Sequence, residues 1–189
     1  MKRVLLLGDS IREFCQTEVE KKLGKGYAVY YPWENGRFAA YTLNSLRGWF
    51  DRIPEDKIDV IHWNNGLWDI GRINGEDRCF TDLNAYIDNM VRIYEVLRKR
   101  THAKTILATT TPTRKEKENH PVSKHFVTDI RAYNDALLNA LGKKVDDVDD
   151  LFSLIYPERE KLISEDFIHP NPVGVEVLSE EICKHIRSV

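Results

Sequence analysis

"LLLGDSI", residues 5–11, is an apolar run that stops at a glycine and places an acid and a serine at the stop. A run this apolar fits a strand buried on both faces, and the residues that follow, "IREFCQTEVEKKLG" (11–24), set Phe14, Val19 and Leu23 among charges and end on a helix-stopping glycine. Strand, turn and helix in that order open a βα unit. Whether Ser10 is a nucleophile or only the N-cap of that helix is open at this point, because serine is favoured at both kinds of position.

The rest of the chain repeats the unit. "KRVLLLG" (2–8), "YAVYYP" (27–32), "IDVIHW" (58–63), "KTILATT" (104–110) and "KKVDDV" (143–148) read as five strands. Helices are expected over 11–24, 81–100, 127–142 and 173–189. That over 81–100 has the clearest pattern, with Leu83, Ile87, Met90, Val91, Tyr94 and Leu97 at three- and four-residue spacing and Thr81 placed as its N-cap. Alternating strands and helices predict an α/β fold with a five-stranded parallel sheet and crossover helices. In such sheets ligands bind outside the carboxyl ends of the strands, so the loops after 8, 32, 63 and 110 should meet in one crevice. "PTRKEKENHPVSKHF" (112–126), charged and bounded by prolines, reads as a long polar surface loop.

The 189 residues are expected to form one domain, 1–189, and their 42% hydrophobic and 31% charged content fits a globular chain. A net charge of −2 gives no electrostatic reason to expect nucleic acid or an anionic membrane as partner. No apolar run is long enough to span a bilayer, and the four apolar residues before Gly8 are too few for a signal peptide, so a cytoplasmic location is expected. Cys15, Cys79 and Cys183 are odd in number and far apart, and read as reduced thiols.

Four short blocks carry candidate chemistry. Ser10, with Asp9 before it, lies where a helix N-terminus offers free N–H groups to an anion. In "SEDFIHPNPVG" (164–174), Asp166 and His169 are spaced so that the carboxylate can receive an imidazole N–H, and such a pair is what a serine's general base needs. "HWNNGLWD" (62–69) ends the third strand with two amide side chains, Asn64 and Asn65, and "WENGR" (33–37) offers a close backbone approach at Gly36. Asp9 is a candidate to line a substrate cleft, and Trp33, Trp63 and Trp68 flank these loops as candidate walls of that cleft or as core. Metal is not expected: "VDDVDD" (145–150) lacks the spacing of a calcium loop, His62 reads as a satisfied core residue, and His102, His120, His125 and His185 have no partner at ligand spacing in the sequence.

In combination and order, Gly8-Asp9-Ser10, a glycine after the second strand, an asparagine after the third and Asp-x-x-His before the last helix resemble the SGNH hydrolases, the GDSL esterases and lipases. The resemblance implies a flavodoxin-like three-layer α/β/α sandwich and a serine esterase that needs no cofactor. It implies Ser10 as nucleophile, His169 as base, Asp166 as the group that orients it, and an oxyanion hole made by the Ser10 and Gly36 amides with an asparagine side chain. The usual third block, Gly-x-Asn-Asp, is here Trp-Asn-Asn-Gly, so the asparagine is ambiguous, with Asn65 favoured over Asn64. The expected partner is a small-molecule ester, foremost an O-acetylated sugar, with a longer acyl ester (lysophospholipase or thioesterase) or a non-catalytic anion-binding module as alternatives.

Overall fold

A computed structural model describes residues 1–54 and 57–189. Five parallel strands form the central sheet: β1 (Lys2–Leu7), β2 (Tyr27–Tyr30), β3 (Val60–Trp63), β5 (Lys104–Ala108) and β7 (Asp147–Asp149), in the order β2-β1-β3-β5-β7. A short antiparallel pair, β4 (Arg72–Ile73) and β6 (Ser123–Lys124), stands apart from it. The order doubles back between β1 and β3, whose register pairs Val4 with Val60 and Leu7 with Trp63. That is the flavodoxin-like arrangement, and the crevice at the reversal lies just beyond Leu7.

Helices cover both faces. On one, α1 (Ser10–Leu23) packs against α8 (Pro172–Ser188); on the other lie α2 (Ala39–Phe50), α4 (Leu83–Arg100) and α5 (Val127–Leu141), in contact in that order. The central strands are apolar throughout because both their faces are covered: Leu5, Leu7, Val60, Ile61, Trp63, Ile106 and Leu107 are all buried. Each contributes roughly 1.5–3 kcal/mol of burial. The remaining helices, α3 (Leu67–Ile70), α6 (Leu151–Ile155) and α7 (Arg159–Leu162), are one-turn pieces. Among the described residues no helix is long and apolar enough to cross a membrane.

The sequence expectation meets this architecture at every central strand and differs in four places. Asp82, not Thr81, caps α4, accepting the Asn84 N–H at 2.9 Å, because the Thr81 backbone is tied to Asp69 and Tyr133 instead. The last strand covers Asp147–Asp149 rather than 143–148, since Lys144 and Val145 still bond back to Leu141 at the end of α5. Residues 39–50 form α2, which carried no helical assignment; one of its buried positions is the polar Thr42, which breaks the apolar pattern. The segment 112–126 is not simply a polar surface loop. Lys117 and His125 are buried in it, and its Ser123–Lys124 pairs with Arg72–Ile73.

Candidate active site

Asp9, not Ser10, caps α1: its Oδ1 accepts the Ile11 N–H at 3.0 Å, and Ser10 is the first helical residue. The Ser10 hydroxyl therefore faces the end of the chain. There the loop before α8 is a closed turn, with Ser164 N–H donating to the His169 carbonyl at 2.8 Å and Phe167 N–H to Ser164 at 3.0 Å. Phe167 takes a positive φ of 70° to make it. Asn171 caps α8 by accepting from Val173 and Gly174 N–H at 3.0 Å, which fixes where the loop ends.

This loop carries His169 to Ser10. His169 Nε2 lies 2.8 Å from Ser10 Oγ, and His169 Nδ1 lies 2.6 Å from Asp166 Oδ2. The other oxygen, Asp166 Oδ1, accepts from Ser164 Oγ at 2.8 Å and from the Ile168 and His169 amides at 2.9 Å. Burial works against the Asp166 charge. The Ile168 amide, the His169 ring, the His169 amide and the Ser164 hydroxyl outweigh it and hold the carboxyl well below the ordinary range. An ionised carboxylate, an imidazole and a hydroxyl thus stand in line. Phe14, one turn after Ser10 on α1, stacks on the imidazole with ring centroids 4.7 Å apart and planes at 14°. Sequence reasoning assigned Phe14 only to the helix; its i+4 spacing from Ser10 was the available signal.

The second and third loops meet beside this line. Gly36 donates its N–H to the Gly8 carbonyl at 3.0 Å, and a Cβ at Gly36 would sit 2.5 Å from that oxygen, so only glycine fits. Asn65 Nδ2 donates to Thr42 Oγ1 at 3.0 Å and to the Arg37 carbonyl at 3.1 Å, which ties it to the Gly36 segment. Asn64 turns away, its Nδ2 directed at the Ala108 carbonyl at 3.3 Å, as successive residues at a strand end must. Of the three expected oxyanion donors, only the Ser10 N–H lacks an acceptor among the described residues. The Gly36 and Asn65 donors are engaged, because the two loops close on each other. Arg12, buried beneath, donates to the Gly8, Pro32 and Glu34 carbonyls and holds the first two loops together, a role its sequence position did not reveal.

An apolar cleft of about 370 Å³ opens onto Ser10 and His169, walled by Phe38, Leu67, Trp68, Ile73 and Ile168. His125 also lines it, with Nε2 at 2.9 Å from the Leu67 carbonyl; burial pushes this histidine down to about 4, so it stands neutral. Trp68 is 42% exposed and meets Phe38 edge-on. The other two tryptophans are not cleft walls. Trp63 is fully buried in the sheet with Nε1 on Asn65 Oδ1, and Trp33 lies on the surface under the Arg52 guanidinium.

Asp9 is likewise buried rather than facing the cleft. Burial pushes its carboxyl up to about 6 from 3.8, against the Ile11 amide and the nearby His169 and Arg12. The folded protein then holds a proton that the unfolded chain releases, so the contribution of Asp9 to stability is greatest below pH 3.8 and is lost as pH rises to about 6. Asp9→Asn, which keeps the capping oxygen, is expected to raise Tm by a few degrees at about pH 8 and to leave it nearly unchanged at about pH 4. Equal shifts at both pH values would dissociate the effect from the carboxylate.

No protein-family model and no curated protein sequence matches the chain. Solved structures do. A lipase/acylhydrolase from Enterococcus faecalis superposes with a TM-score of 0.77 at 18% identity, covering 100% of this chain and 96% of that one. The acetyl xylan esterase AlAXEase gives 0.75 at 16%, covering 97% and 99%. A member of the lipolytic G-D-S-L family from Veillonella parvula gives 0.74 at 15%, covering 97% of each. The chain has the fold of the GDSL, or SGNH, hydrolases.

Proposed function

We propose that this SGNH-fold chain is a serine esterase that cleaves small esters through an acyl-enzyme. The observation that carries the reading is the line from Asp166 through His169 to Ser10, at 2.6 and 2.8 Å, ending at an apolar cleft. A non-catalytic anion site at the α1 N-terminus would not need an imidazole on the serine hydroxyl. In the first step Ser10 Oγ bonds to the ester carbonyl carbon while its proton passes to His169 Nε2, and the alcohol leaves with that proton. Water then attacks the acyl-enzyme with the same imidazole as base, which releases the acid and restores Ser10. The Ser10 N–H and the positive end of α1 would stabilise the oxyanion. Asn65 would join them by releasing the Arg37 carbonyl, its longer bond, at 3.1 Å.

The lining of the cleft favours an ester with an apolar acyl group of several carbons, since Leu67, Ile73 and Ile168 offer it no hydrogen bonds. A second reading, an O-acetylated sugar, is favoured by the exposed Trp68 indole, a face on which a pyranose ring could stack, and the acetyl xylan esterase is similar in fold. A p-nitrophenyl ester series from acetate to decanoate separates them. Under the first reading kcat/KM rises about tenfold or more from acetate to a mid-length chain, two buried methylenes at about 0.8 kcal/mol each being worth that much. A maximum at acetate would favour the sugar ester, and no hydrolysis of any member, with Ser10 inert to an organophosphonate, would reject the esterase.

A further inference from the structure

On the C-terminal half of α8, against the edge strand β7, a second cluster gathers. Asp149 on β7, with Glu181 and His185 on α8, brings three potential ligand atoms within 4.8 Å of one another. Asp149 is fully buried. Its Oδ2 faces His62 Nε2 at 2.9 Å, while its Oδ1 has no hydrogen-bond partner among the described residues and points into the cluster, 3.7 Å from His185 Nε2. A buried carboxylate oxygen without a donor is costly unless something of positive charge meets it.

The remaining geometry says what would. Glu181 and His185 are one helical turn apart on the same face of α8, with Glu181 Oε1 3.2 Å from His185 Nε2. Donor separations of 3.2 and 3.7 Å bracket the roughly 3.4 Å edge of a tetrahedron of N and O ligands about 2.1 Å from a metal. The far ring nitrogen, His185 Nδ1, lies 2.6 Å from Asp147 Oδ2, the carboxylate–imidazole pairing that fixes the tautomer of metal-bound histidines.

We propose that Asp149, Glu181 and His185 form a binding site for a divalent first-row cation of the zinc or manganese class, with Asp147 orienting the imidazole. Two carboxylates and one imidazole suit such ions better than a soft monovalent metal. Binding displaces the proton from His185 Nε2 to solvent, while Nδ1–H stays on Asp147. Lys184, whose Nζ holds Glu181 Oε1 at 2.6 Å, is the competing cation and is free to swing into solvent. The bound ion would clamp α8 to β7. α8 follows directly on the His169 loop, but His185 lies 13 residues along it from Pro172, roughly 20 Å at the helical rise, so the ion supports the fold and takes no part in ester cleavage.

The test uses the 189-residue chain freed of metal with a chelator, titrated with zinc chloride and, separately, manganese chloride, and followed by calorimetry and thermal unfolding. Wild type is expected to bind one ion per chain and to gain about 5 to 10 °C in Tm at a hundredfold excess over Kd. Glu181→Gln and His185→Gln are expected to lose both responses; Glu181 is partly exposed, so its variant retains the fold and decides the matter if the histidine variant does not. Absence of binding by wild type, or equal binding by wild type and Glu181→Gln, would overturn the site. The result is independent of whether Ser10 cleaves esters.

Discussion

Ser10→Ala is expected to lower kcat/KM for a p-nitrophenyl ester by a factor of about 10³ or more, with the fold unchanged. The methyl group occupies no more room than the hydroxymethyl it replaces, and the α1 cap does not depend on it, since Asp9 holds the Ile11 N–H. What disappears is the atom 2.8 Å from His169 Nε2 that forms the covalent bond. Removing the nucleophile of such a unit costs about as much as removing all of it, and the residual rate reflects binding and the oxyanion donors alone. The measurement is initial rate on the preferred ester beside wild type, with circular dichroism to show that both fold. Equal rates would make the Ser10–His169 contact a structural hydrogen bond and return the crevice to an anion-binding role.

The fold was legible because its central strands are buried on both faces. Apolar runs such as Val4–Leu7 and Ile106–Ala108 stand out, and Gly8 marks where the first of them leaves the sheet. The same burial hid the role of Trp63: when both faces of a strand are covered, alternation no longer separates inward from outward residues, and a tryptophan in the core reads like one beside a cleft. Asn64 and Asn65 were ambiguous in sequence because adjacent strand-end residues point oppositely, and which of them faces Gly36 depends on a register only the folded sheet supplies. Engagement of the Gly36 amide by the Gly8 carbonyl was not legible at all. It depends on Arg12 drawing the first two loops together, a contact between residues more than twenty positions apart. The Asp149–Glu181–His185 cluster escaped for the same reason, since local spacing shows His185 no ligand beyond its own helix.

Asp166→Asn tests the other end of the line, and its effect follows from which oxygen does what. Oδ1 accepts from Ser164, Ile168 and His169 and shapes the turn; an asparagine oxygen placed there keeps all three bonds. Its amide nitrogen then takes the position of Oδ2, facing His169 Nδ1 with a donor where an acceptor stood. The imidazole must answer with a bare Nδ1 and a proton on Nε2, so it presents N–H to Ser10 Oγ and can no longer take the serine's proton. kcat is expected to fall about 10³-fold with KM little changed. The loss falls short of the ~10⁴ seen for fully buried relays, because the Asp166 side chain is half exposed and water assists the imidazolium. Tm should fall modestly at neutral pH, because the carboxylate the fold favours is lost from a half-exposed position, and Asp166→Ala, which also breaks the turn, should lower it further. If Asp166→Asn retains the wild-type kcat, His169 takes its orientation from elsewhere, and the Phe14 stack at 4.7 Å becomes the group to vary next.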